Sequence, residues 1–398
     1  MISPAAPKTN RIGSIDLLRG IVMIIMVLDH VRDYFHWGAF MYDPTNLSRT
    51  TVPIFLTRWI THFCAPIFML LAGVSARLYG SKRDRRTLAR FLLTRGLWLI
   101  FAEMFIVTLE WTFNPTYPVF ILQVIWAFGA CMIVLAGLIY LPVPAILGIG
   151  VVLAGAHNLL DGVHVHGHSG WAALWGVLHD QNQYSIGPVS FITAYPIIPW
   201  IGILAIGYAL GGWYLPSVDQ ATRRRRLLNA GFAMVVGFVV IRFWNVIGDP
   251  SHWSYQKSWA FTVLSFLNTT KYPPSLLYSL MTLGPALIFL ALSEKPLGRF
   301  QSIVTVYGRT ALFFYLVHIP LVHLVAVGAA ALEGYPASDM VMIKGWISFD
   351  PLLKGYGYPL WVVYLIWIGI VALLYPLCVR FDKYKRGNLP TKPWLSYF

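Results

Sequence analysis

The chain has 398 residues, 57% of them hydrophobic and 12% charged, and its mean hydropathy is +0.64. A soluble domain carries about twice that share of charge, so the composition excludes a soluble enzyme and calls for a protein embedded in a bilayer. The formal net charge of +14 does not point to nucleic acid, because Lys and Arg fall mainly in short runs between apolar segments, where they report topology and not a basic patch.

Ten segments are apolar and long enough to be read as crossing roughly 30 Å of hydrocarbon: 15–37, 54–79, 92–113, 119–141, 143–160, 191–214, 227–247, 274–293, 303–330 and 359–380. The fifth is the shortest. The first 14 residues lack an apolar core followed by a small-residue cleavage site, so segment 15–37 is expected to be a retained span. With a cytoplasmic N-terminus, the inner loops are 81–95, 141–143, 219–226, 294–299 and the tail 381–386, and four of these five are basic. The outer connections 39–53, 114–118, 161–190, 248–273 and 331–358 carry few Lys or Arg. That asymmetry predicts ten spans with both termini inside. The expected fold is an all-α integral membrane protein, one polytopic domain over 1–398 with a short inner segment 1–14 and a tail 381–398. The loops are too short for a separate soluble domain, and no internal repeat is evident, which weakens an inverted-repeat transporter. Cys64, Cys131 and Cys378 all sit in apolar runs, as buried thiols do, and form no disulfide or metal pattern.

The first span, LLRGIVMIIMVLDHVRDYF, places ionisable groups in a segment that lipid should surround. Arg19 and His30 are eleven residues apart, so at about 100° per residue they share one helix face, about 16 Å apart along the axis. Asp16, Met23, Met26 and Asp33 lie near the same stripe. Taken alone, Arg19 also fits an interfacial arginine reaching to headgroups, and Asp29-His30-x-Arg32-Asp33 fits a solvated helix end. Intramembrane ionisable groups more often face an interior or a cavity.

The stretch RIGSIDLLRGIVMIIMVLDHVRDYF resembles the first helix of the transmembrane acyltransferase superfamily. Its Arg19 and His30 match the Arg-x10-His motif of the acyltransferase-3 branch. It is most similar to the bacterial heparan-α-glucosaminide N-acetyltransferase-like family. That similarity extends to PIFMLLAGVSARLY (66–79), YPIIPWIGILAIGYALG (195–211), TKYPPSLLYSLMTLGPALI (270–288) and RTALFFYLVHIPLVH (309–323). The resemblance implies a cytoplasmic acyl-CoA donor, an acceptor on the other side and a bacterial inner-membrane location. In the lysosomal enzyme of that family an Asn matches position 30 and the catalytic His follows shortly after, which makes His36 a rival to His30.

Further intramembrane polar groups follow along the chain. Arg58 and His62 are one turn apart in the second span. Glu103 and Glu110 lie in the third, and Arg242, Asn245 and Asp249 follow i, i+3, i+7 in the seventh. Lys271 and Tyr272 precede the eighth span. Arg309, Tyr315, His318 and His323 run outward along the ninth. Each fits a helix–helix bond holding the bundle together. Together they place Arg19 and Arg309 towards the inside and His30, His62, His318, Arg242 and Asp249 towards the outside. DGVHVHGH (161–168), with His157 and His179 nearby, raises a metal site, but His164, His166 and His168 share a side only in an extended segment. A hydrophilic outer loop is expected there, and no metal.

These readings converge on a membrane acyltransferase that moves an acetyl group from acetyl-CoA to a hydroxyl or amine of an external carbohydrate or envelope glycan. His30 is the expected general base, oriented by Asp33, with Asp29 less clearly placed and an acetyl-histidine on His30 or His36 left open. Arg19 and Arg309 are the expected donor-phosphate ligands. Arg58, His62, Arg242, Asp249, Lys271, Tyr272 and His318 are the expected acceptor contacts. The partners are then the acyl-CoA donor, the glycan acceptor and membrane lipid, with a homodimer as an open option and no nucleic acid. The rival reading is a transporter or flippase for a polar or anionic solute.

Overall fold

The computed structural model describes residues 12–165, 167, 169–294, 298–345, 347 and 351–397. Residues 1–11 of the expected inner segment, and His166 and His168 of the loop, lie outside the described residues. Each of the ten apolar segments overlaps a helix. In chain order the helices are α1 (Gly13–Phe35), α2 (Val52–Thr61), α3 (Cys64–Gly80), α4 (Arg85–Phe101), α5 (Thr108–Thr112), α6 (Val124–Leu138), α7 (Val143–Gly155), α8 (Gly170–Leu178), α9 (Ile198–Leu210), α10 (Gln220–Trp244), α11 (Trp259–Leu267), α12 (Leu276–Leu292), α13 (Arg299–Arg309), α14 (Ala311–Leu332) and α15 (Leu360–Asn388). Five helical stretches are long and apolar enough to cross a membrane: Val52–Gly80, Arg85–Thr112, Gln220–Trp244, Ala311–Leu332 and Leu360–Asn388. Four shorter apolar helices, α6, α7, α9 and α12, stand among them. The chain is a helical membrane protein.

Three long helices are interrupted, each at a polar residue. The α2–α3 stretch bends at His62 and Phe63. Between α4 and α5 the helix widens into a π-turn, Ala102–Val107, where the Thr108 hydroxyl donates to the Glu103 carbonyl; single π-turns inside helices are frequent at functional sites. Thr310 separates α13 from α14.

The all-α expectation needs one correction. A small sheet of order β1-β3-β2 joins Val119–Leu122, Asn182–Ile186 and Val189–Thr193, with β1 parallel and β2 antiparallel to β3. Segments 119–141 and 191–214 therefore begin in strand, and their helices start only at Val124 and Ile198. The runs VFIL and VSFIT are rich in β-branched and aromatic residues, which favour a pleated surface. Gly187, at φ +59°, makes the tight turn between β2 and β3.

Helix α1 is the central element, packed against α2, α3 and α13 to α15. Its Val22, Val27, Val31, Tyr34 and Phe35 are fully buried. The crossing with α13 is close because both contact points are glycine. A Cβ on Gly20 would overlap the Val304 carbonyl, and one on Gly308 would overlap that of Asp16. Without a hydrophobic drive between helices in lipid, such small-residue contacts let backbones approach and pack. The neighbours of these two glycines are Arg19 and Arg309, so the crossing brings both guanidinium groups to one place.

Loops assigned to one side by charge also touch each other. Arg85 donates to the Tyr140 carbonyl (3.0 Å), and Arg223 pairs with Glu294 (2.5 Å). On the opposite set, Asn268 donates to the Thr45 carbonyl and Asn114 to that of Ile343. Asp84 and Asp219 cap α4 and α10. Hydrogen bonds from Thr87 and Thr222 hold these exposed carboxyls below the ordinary carboxylate range.

Candidate functional site

A cavity of about 380 Å³ runs along the polar stripe of α1, from Arg19 to His30, with Met23 and Met26 between them. Its volume is that of a small-ligand site. Four cations line one end: Arg19, Arg95, Arg309 and Lys385. Arg19 reaches Ser75 (3.0 Å) and Asp16 (3.3 Å). Arg309 pairs with Asp382 (3.0 Å), which also takes Arg386 (2.9 Å). Arg95 donates to the carbonyl of Ser396 (2.8 Å), so the C-terminal turn borders this end. Tyr79 and Phe91 stack here, 4.1 Å between centroids and 19° apart in plane, and both line the cavity.

At the other end, His30 Nδ1 stands 2.7 Å from His318 Nε2. His318 Nδ1 is in turn 3.0 Å from the Phe314 carbonyl. A carbonyl only accepts, so His318 must carry its proton on Nδ1 and accept at Nε2. His30 then donates from Nδ1 and keeps its Nε2 lone pair free. This chain assigns the tautomers through the bonds they make. Trp111 and Tyr315 meet the His30 ring edge-on at 5.1 and 6.3 Å, which restricts its rotation.

Asp29 is the hub beside it. It forms an ion pair with Arg32 (2.7 Å) and accepts from Arg58 (2.5 Å) and the Thr61 hydroxyl (2.9 Å), tying α1 to α2. A buried carboxylate between two guanidinium groups is held from both sides, and such charged networks rigidify what they join. Asp33, expected to orient the imidazole, instead accepts from Arg32 (2.6 Å); His318 holds that position on the ring. His36 caps the end of α1, where its Nδ1 accepts from the Gly38 amide (3.1 Å).

A second, smaller cavity of about 230 Å³ is lined by Asp43, Arg58, His62, Gln181, Lys271 and Tyr272, among others. Lys271 lines both cavities. Tyr195 of the first cavity and Tyr272 of the second are joined by a 3.4 Å hydroxyl contact. The second cavity's polar lining contrasts with the apolar middle of the first.

The structure thus gathers Arg19, Asp29, His30, Lys271 and Arg309 around one cavity and Arg58, His62, Lys271 and Tyr272 around the other. His318 is buried behind His30. Arg242 and Asp249 line neither cavity. Arg242 is buried and donates to the carbonyls of Phe266, Ser251, Ser265 and Asn268. Asp249 accepts from Ser251, Thr270 and Ser275. Both brace the 249–275 segment that carries Lys271. Sequence reasoning missed Arg95 and Lys385. Both fall in basic stretches, 81–95 and 381–386, that read as loop and tail, yet Arg95 lies more than two turns into α4, and an arginine at that depth marks a functional surface by default.

A comparison with individually curated proteins finds no match. A family model described as heparan-alpha-glucosaminide N-acetyltransferase, catalytic, matches residues 11–243. The match covers α1 to α10 with Arg19 and His30, though it speaks for the family and not for the Arg-x10-His motif; Lys271, Arg309 and His318 lie beyond it. Matched over more than half of its length, this integral membrane protein belongs to the heparan-alpha-glucosaminide N-acetyltransferase family of acetyltransferases.

Proposed function

We propose that the chain is a single polytopic domain of ten spans with both termini in the cytoplasm, in a bacterial inner membrane. It moves an acetyl group from cytoplasmic acetyl-CoA to a hydroxyl or amine of an external carbohydrate. The observation that carries this reading is the continuous cavity between four cations and a His30 whose Nε2 is free. The contacts among loops assigned to the same side support that sidedness.

The donor phosphates bind Arg19, Arg95, Arg309 and Lys385, by bidentate bonds where the guanidinium forks allow. The thin pantetheine arm follows Met23 and Met26. The thioester then lies at His30, about 16 Å from Arg19 along the α1 axis. The acceptor sits in the second cavity and approaches past Lys271. His30 Nε2 removes the acceptor proton as its oxygen or nitrogen attacks the thioester carbon. Lys271, with its positive charge, stabilises the oxyanion. Collapse breaks the carbon–sulfur bond, and the imidazolium returns its proton to the CoA thiolate. Asp29 fixes Arg58 at the acceptor side. In this reading His36 acts through the end of α1 and not on the substrate.

The test is turnover by purified chain in proteoliposomes, with labelled acetyl-CoA outside and a panel of amino and neutral sugars enclosed. Label should pass to enclosed sugar and stop in His30→Ala. Saturable sugar flux with no acetyl transfer and no CoA binding would instead favour a transporter. An active His30→Ala with an inactive His36→Ala would move the base to His36.

A further inference from the structure

A second constellation, apart from both cavities, joins the end of segment 143–160 to the 161–190 loop expected to be merely hydrophilic. One ligating atom from each of His157, Asp161 and His179 lies within 4.8 Å of the others. His157 and His179 are 3% and 2% exposed, the burial of core residues. His157 Nδ1 and both ring nitrogens of His179 make no hydrogen bond. Unpartnered imidazole nitrogens in a buried polar site are costly unless something accepts their lone pairs.

The surroundings set two of the three groups in ligating form. His157 Nε2 stands 2.9 Å from the Pro274 carbonyl, which must be accepting, so the proton is on Nε2 and the Nδ1 lone pair is free. Asp161 Oδ2 takes the Asn158 amide at 2.8 Å, leaving Oδ1. That Oδ1 is 3.3 Å from His179 Nε2, without the alignment of a hydrogen bond. A tetrahedral zinc ion with ligands at about 2.0–2.1 Å holds neighbouring ligand atoms about 3.3 Å apart. A histidine steadied by a carbonyl and a carboxylate steadied by an amide are the outer partners that metal ligands use.

We propose that His157, Asp161 and His179 bind one zinc ion, with water as the fourth ligand. Two imidazoles and one carboxylate suit this borderline ion. The ion ties the turn after α7 to the end of α8. Through His157 it also holds Pro274, which bridges to Lys271. It therefore stabilises the segment that carries Lys271 and Tyr272 without touching the substrate. His164 does not belong to the set, since its Nδ1 pairs with Asp180 at 2.8 Å.

The experiment uses tag-free full-length chain in detergent, stripped with EDTA, reloaded with Zn²⁺ and passed through a desalting column. Metal is counted by mass spectrometry and melting is followed with and without EDTA. Wild type should retain one zinc per chain and lose melting temperature on chelation, with recovery on adding Zn²⁺. Asp161→Asn, which keeps the shape of the side chain, should lose at least tenfold in zinc affinity, and its melting should not respond to EDTA. Asn158→Ala, which removes the steadying amide and adds no charge, should weaken binding by roughly 10–100-fold. Reloaded wild type without bound zinc overturns the proposal. So does a monodisperse Asp161→Asn chain that still holds one equivalent, or loss of the metal in His164→Ala with retention in His157→Ala. The readouts are metal content and melting, so the result stands whether or not acetyl transfer is found.

Discussion

At the scale of single residues, the His30–His318 pair decides most. His318 is locked by the Phe314 carbonyl, so it can only accept from His30. His30→Ala should lower turnover by about 10²–10⁴-fold with the protein still folded, the usual worth of a positioned base. His318→Ala should lower kcat with little change in KM for acetyl-CoA, because it removes orientation and not a donor contact. His318→Gln, whose amide oxygen can accept at a similar place, should recover part of that loss, and steady-state kinetics on the two variants decide the point. At the cationic end, Arg19→Ala and Arg95→Ala should raise the donor Kd roughly tenfold or more, since one charge-assisted hydrogen bond contributes about 1.5–3 kcal/mol. Isothermal titration with CoA measures this. A transporter of unrelated solutes would show no CoA binding in any variant.

At the scale of elements, helix crossings place these residues. Gly20 and Gly308 let α1 and α13 meet backbone to backbone. Gly308→Val should force them apart and destabilise by about 1–3 kcal/mol, the range for overpacking, seen as a lower melting temperature. Donor binding should fall with it, because Arg309 follows Gly308 directly. The Asp29 network joins α1 to α2 in the same way. Asp29→Asn would leave two guanidinium groups without their shared counter-ion, and breaking a buried pair costs about 3–5 kcal/mol. A milder loss on thermal unfolding would show that water reaches Arg58 and Arg32 readily.

At the scale of the whole molecule, two cavities share Lys271, and the proposed reaction assigns the donor to one and the acceptor to the other. The proposed ten-span topology, with both termini inside, predicts the labelling of single cysteines. Arg83→Cys should react with an impermeant maleimide only after the inner face is opened, and Tyr255→Cys should react from outside in intact cells. The reverse pattern would invert the topology and with it the side from which the donor arrives.

Much of this was legible in the residues themselves. Low charge and long apolar runs mark a membrane protein because hydrocarbon tolerates little else, and the 3.6-residue period puts Arg19 and His30 on one face. That both line one cavity depended on partners far along the chain: α13 arriving at Gly20, and α14 supplying His318. The orienting role expected of Asp33 went instead to His318, 288 residues away, because one-turn proximity on a helix says nothing about which neighbour packs across it. The small sheet was hidden for a related reason, since VFIL and VSFIT read as apolar span until a partner strand accepts their hydrogen bonds. The His157–Asp161–His179 cluster likewise joins a turn to a distant helix end. Sequence fixes which chemical groups exist and the local period at which they recur; which of them meet is decided only by packing between elements.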